Sequence, residues 1–163
     1  MAFLAGQKLR AGDLGQLNTS AQYTGSVAQT IPNGADTVVA FGTADYTTSY
    51  VTRSASGAGH TFTLNVPGLW AVAAYVRWTT VGASGTGEKA MHIEDILGLW
   101  HGVSAIPAET DAPVSNHVSF VKYLSAGDSI TVEVYQNSGG TEDLEQNAVF
   151  GTPRINLALI LAS

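Results

Sequence analysis

From Thr37 onward, apolar and polar residues alternate in short runs separated by turn signals, which predicts an antiparallel all-β sandwich. In His60 to Val66, Phe62, Leu64 and Val66 share one face and Thr61, Thr63 and Asn65 the other. Pro67-Gly68 then reads as a tight turn, with proline presetting the first turn position and glycine supplying a positive φ at the second. The alternation resumes with Trp70, Val72, Val76 and Trp78 inward and Tyr75 and Arg77 outward, so residues 60–66 and 70–78 are expected to pair as a hairpin. A second hairpin is expected from Val118 to Tyr123, the turn Ser125 to Asp128, and Ser129 to Gln136, with Ile130, Val132 and Val134 facing the core. The last strand, Arg154 to Leu161, carries Ile155, Leu157, Leu159 and Leu161 on one face but Ala158 and Ile160 on the other. A strand apolar on both faces is expected to be covered on both, here by another subunit.

The Gly- and Ser-rich stretches Ala55 to Gly59, Gly82 to Gly87 and Asn137 to Thr141 read as exposed loops. Met91 to His101 fits both periods: Ile93, Ile96, Leu97 and Trp100 match helical spacing, and Met91, Ile93 and Asp95 match alternation. A strand is expected there because its surroundings are β. The first thirty residues differ. Leu9, Leu14 and Leu17 allow a short helix, and the tract Asn18 to Gln29 has too little apolar content to be core. So short a helix needs a surface to dock on. The division expected is an anchoring arm over residues 1–28 and a head over 29–163.

The 163 residues suit one domain with a real core. Cysteine is absent, which excludes disulfides and thiolate chemistry. Only 12% of residues are charged, against about 25% in ordinary soluble domains, so part of the surface is expected to be buried elsewhere. A net charge of -6 disfavours nucleic acid and anionic membranes as partners. The opening residues lack the basic and apolar regions of a signal peptide, and the longest apolar run, Leu157 to Ala162, falls far short of the ~20 residues of a membrane span. Synthesis in the cytoplasm without membrane insertion is expected.

Three segments carry a family resemblance. Gly59 to Trp70, containing Phe62-Thr63 and Pro67-Gly68-Leu69-Trp70, resembles the glycine, Phe-Thr and Pro-Gly-aromatic pattern of C1q/TNF-like domains. Tyr123 to Val132 is similar to that family's Leu-x-x-Gly-Asp turn entering a strand, and Phe150 to Ile160 to its Phe-x-Gly and final aliphatic strand. The resemblance implies an antiparallel jelly-roll sandwich of about ten strands that assembles as a homotrimer. The opening, Phe3 to Leu14, is similar to the Gly-x-x-Leu-Thr-Ala-x-x-Leu-Asn start of tail and fibre proteins of bacteriophages, especially those of actinobacteria. Arg10 stands where that pattern has threonine, and Gly15 where it has asparagine. This likeness implies contact with other virion proteins through Phe3, Leu4, Leu9, Leu14 and Leu17.

No catalytic constellation emerges. His60, His92, His101 and His117 lie in no nucleophile-elbow context, and the Gly57 and Gly85 segments lack the lysine and helix of a phosphate loop. His92 and Glu94 share a strand face that His101 and His117 could join as metal ligands, but scattered polar residues explain the pattern more simply. Glu142-Asp143-Leu144-Glu145 lacks calcium-loop spacing, and Glu109 and Asp111 lie in an apparent loop. No catalytic residue, metal or cofactor is therefore expected. Tyr75 and Tyr135, with Ala158 and Ile160, are assigned to the trimer interface, since aromatics are enriched at protein contacts. The expected function is a non-enzymatic, trimeric virion protein, a tail or fibre component presenting a head to the host surface, with a host glycan as candidate ligand. The alternatives are a capsid decoration protein, favoured by small size, and a bacterial carbohydrate-binding module.

Overall fold

The computed structural model describes residues 19–25, 28–79, 87–108, 113–146 and 151–162. Its strands, all paired antiparallel, are β1 (Ser20–Thr24), β2 (Gln29–Ile31), β3 (Thr37–Val38), β4 (Thr43–Tyr46), β5 (Val51–Ser56), β6 (Gly59–Leu64), β7 (Gly68–Arg77), β8 (Glu88–Asp95), β9 (Trp100–Pro107), β10 (Ser115–Leu124), β11 (Ser129–Gln136), β12 (Glu142–Leu144) and β13 (Arg154–Ala162). One sheet has the order β10-β7-β13-β1-β4 and the other β5-β6-β11-β8-β9, with β3 also on β11 and β12 paired to β2 in a small ribbon. The count exceeds ten because β2, β3 and β12 are pieces of only two or three residues.

The two expected hairpins do not form. β6 pairs with β5 and β11, whereas β7 pairs with β10 and β13, so Pro67-Gly68 carries the chain from one sheet to the other. β10 and β11 likewise lie in different sheets. The inward faces do match the pattern: Phe62, Leu64, Trp70, Val72, Val76, Trp78, Ile130, Val132 and Val134 are all buried. Alternation reports which face is apolar, and strands facing each other across a core alternate just as strands side by side do.

Four further expectations are corrected. Ser20–Thr24, within the tract judged too polar for the core, is a strand between β13 and β4, with Ala21 and Tyr23 buried. Alternate Ser, Gln and Thr on its other face mask its period. Met91 to His101 is a strand to Asp95, a turn, and a second strand from Trp100. Leu161 is 63% exposed because the pairing with β7 slips between Leu159 and Leu161. Of the loop expected at Ala55 to Gly59, only Gly57-Ala58 is turn. Gly59 begins β6 where a Cβ would stand 2.4 Å from the Val38 carbonyl oxygen, so glycine is required by close approach of β3.

Aromatics dominate the centre. Phe62 lies 5.0 Å from Tyr23 and 5.6 Å from Phe41 between ring centroids. Burying each such side chain contributes about 1.5–3 kcal/mol. Beside them the Phe41 amide donates to His60 Nδ1 at 3.1 Å, and burial with the Arg53 guanidinium holds that imidazole below its ordinary 6.5. One end of the sandwich is polar and sealed. Lys89 and Glu142, both fully buried, pair at 3.2 Å; Ser138 donates to the same carboxylate at 3.0 Å, and Trp78 donates to Asn116 at 2.7 Å.

A buried charge without its partner is costly, so Glu142→Ala is expected to destabilise the chain by about 3–5 kcal/mol. The double variant Lys89→Met, Glu142→Leu should recover most of that loss. Guanidinium unfolding at fixed protein concentration measures both, and equal midpoints for the single variant and the native chain would contradict the assignment.

Candidate functional site

The five-stranded sheet has a second apolar face, turned away from the core. Outward positions of β7 are Leu69, Ala71, Ala73 and Tyr75, and those of β10 opposite them are Tyr123, Val121, Ser119 and His117. On the other flank Ala158 pairs with Ala71, and Asn156 with Ala73. These small side chains leave a shallow concavity of about 460 Å³. Tyr75 bounds one end, its ring 4.7 Å from His117 and its hydroxyl 3.3 Å from Ser115 Oγ. Gly151, at φ +123°, leaves room for that ring, since a Cβ there would come within 2.6 Å of the Tyr75 oxygen. At the other end Tyr123, Ile160 and Leu161 are each more than half exposed. Beyond β13 the face turns polar through Gln22 and Asp45, which are hydrogen-bonded to each other.

Of the four residues assigned to an interface, Tyr75, Ala158 and Ile160 thus meet on this face. Tyr135 stands on the outer face of the other sheet, opposite Ala90. Ala71, Ala73, Val121 and Tyr123 were not singled out from the sequence pattern. For Val121 and Tyr123 the signal was Phe120-Val121-Lys122-Tyr123-Leu124, apolar at both parities like the final strand. Phe3, Leu4, Leu9, Leu14 and Leu17 lie outside the described residues.

The six-stranded sheet carries a cluster of ionisable groups. Asp95 caps the β8–β9 turn, accepting from the Leu97 and Leu99 amides at 2.8 and 3.1 Å and meeting His101 Nε2 at 2.7 Å. Burial would raise its pKa, but the Leu99 amide, His101 and the Leu97 amide together outweigh it and hold the carboxyl below 3.8. The turn so fixed displays Ile96, Leu97, Leu99 and Trp100, all exposed. Glu133 moves the other way, raised by burial and then by the neighbouring Glu94 carboxylate. His101 meets Asp95, Lys122 and Phe120, and His117 packs on Tyr75, so neither joins His92.

No protein-family model matches the chain, and no curated protein does. Solved structures do. Murine APRIL is 15% identical, with a TM-score of 0.63 over 86% of this chain and 98% of that one. Eiger TNF from S. frugiperda is 15% identical, with 0.64 over 88% and 93%. The globular domain of zebrafish complement 1qA is 12% identical, with 0.62 over 90% and 100%. This chain folds as a C1q/TNF-like jelly roll. At such identities the likeness is one of fold alone.

Within this jelly roll the concave face is a largely apolar surface on which no other described residue packs, and an arginine at its centre should block a partner there. Ala158→Arg is expected to keep the native circular dichroism and unfolding midpoint, as outward substitutions generally stay within about 0.5 kcal/mol, and to lose self-association in sedimentation velocity. Tyr135→Arg should associate as the native chain does. The opposite pattern would move the interface to the other sheet.

Proposed function

We propose that this chain is a non-catalytic structural subunit of a bacteriophage virion, a homotrimer of jelly-roll heads attached by the segment that precedes β1. The second apolar face of the five-stranded sheet carries the assembly half of this reading. Monomeric proteins rarely leave so continuous an apolar surface open to water. The β9 edge exposes Val103, and the adjoining β8–β9 turn exposes Ile96, Leu97 and Leu99, while the concavity is lined by Ala71, Ala73 and Ala158 together with Val121. An apolar edge set against a small-residue face is a head-to-tail contact, and such contacts close into rings when the rotation permits. The C1q/TNF-like resemblance supports three as the ring number. The low charged fraction, 12%, accords with a surface partly buried by neighbours.

The virion half rests on the similarity of Phe3 to Leu14 to phage tail and fibre starts. On this reading the N-terminal segment binds other virion proteins, and the loops at the free end of the head meet a host-surface glycan. A tail or fibre position is preferred, and the same trimer on the capsid as a decoration protein is the alternative.

Because Ser20–Thr24 is β1, the discriminating truncation removes residues 1–18 and leaves the sandwich whole. The truncated chain is expected to form the same oligomer as the full chain but to be missing from particles made by a phage genome that encodes it. Incorporation at the native level would contradict anchoring by this segment. Imaging a tagged full-length copy then distinguishes tail from capsid.

A further inference from the structure

On the outer face of the six-stranded sheet, opposite the proposed assembly face, His92 sits at the centre of β8 and is only 3% exposed. Trp100 covers it, the two rings stacked 4.2 Å apart and inclined by 24°. The buried Nε2 makes no hydrogen bond. An unsatisfied polar atom in such a place is expensive, so its surroundings bear on what it is for.

Those surroundings are carboxylates. Glu133 is the direct cross-strand neighbour of His92, and its Oε2 lies 3.6 Å from Nε2. Glu94, on the same face of β8, brings its own Oε2 to 3.5 Å. Asp36, in the connection between β2 and β3, supplies a third carboxylate, and the donor atoms of Asp36, His92 and Glu133 all lie within 4.8 Å of one another. Among the described residues no lysine or arginine forms an ion pair with any of the three acids.

The separations discriminate between explanations. A charge-assisted N–H···O contact closes to about 2.7–2.9 Å, and both carboxylates stand well outside that. Donor atoms bound about 2.1 Å from one tetrahedral ion are instead about 3.4 Å from each other, close to the His92–Glu133 separation. The Trp100 indole N–H donates to Glu94 Oε2 at 3.1 Å, which holds that carboxylate beside the imidazole as an outer partner of the set.

We propose that Asp36, His92 and Glu133 bind one divalent first-row transition-metal ion of the zinc class, with the Glu94 carboxylate beside them, tying the β2–β3 connection to β8 and β11. One imidazole among carboxylates suits such an ion, whereas calcium and magnesium favour all-oxygen sets and soft ions favour sulfur. The site departs from the expectation of no metal. His92 and Glu94 were visible in sequence as a pair, but their complement comes from β11 and from Asp36.

The test strips the intact chain with chelator and titrates it with zinc chloride by calorimetry while following tryptophan fluorescence. One ion per chain is expected, with a fluorescence change from Trp100 and a raised thermal midpoint. His92→Gln should abolish binding. Asp36→Asn, at an exposed position that the fold does not need, should weaken it by about tenfold or more. Asp36→Asn is the deciding variant if His92→Gln does not fold. Absence of binding would overturn the proposal, and so would binding of native affinity in Asp36→Asn, which would place the ion at other surface groups.

Discussion

A sheet that is apolar on both faces has to be covered twice, and the described residues supply only one cover. Strands β7, β13 and β10 turn Trp70, Val72, Ile155, Leu157 and Val118 into the sandwich, where the six-stranded sheet buries them. The same strands turn alanines, Val121, Tyr123 and Ile160 the other way. Much of what is unusual in the composition follows. Charge is scarce, and glycine at 151 lets Tyr75 lie along the rim of a face that a partner can approach closely.

The inner cover has its own requirement. With no cysteine to cross-link it, the sandwich holds its register by burial and by the sealed polar end, where Lys89 of β8 reaches Glu142 of β12. A one-residue slip of β8 would turn Lys89 outward and leave Glu142 buried alone, so the pair penalises the wrong register more than it stabilises the right one. His92, Glu94 and Glu133 lie on the outer face of that sheet, away from the proposed contact. The assembly face and the proposed ion site can therefore be tested independently.

The faces of the long strands were legible because period two survives wherever one side is core: every inward residue named in β6, β7 and β11 is buried, except that Val66, just past β6, is only partly so. Sheet membership was not legible, since Phe62 and Trp70 meet the same core from opposite sheets. β1 was hidden because a strand needs only Ala21 and Tyr23 inside while Ser, Gln and Thr face outward. Tyr135 was grouped with Tyr75 for the same reason that the hairpins were misassigned: alternation says outward without saying from which sheet. The pairing of Glu133 with His92 depends on register between strands distant in sequence, which local pattern does not contain.

The proposed function has copies of the same chain bury the second face, and sedimentation equilibrium of the intact, unmodified protein measures this most directly. A species of three times 16.9 kDa that persists on dilution is the predicted result. A stable species of 16.9 kDa at micromolar concentration would contradict it, because the apolar face would then stand open to water without a partner.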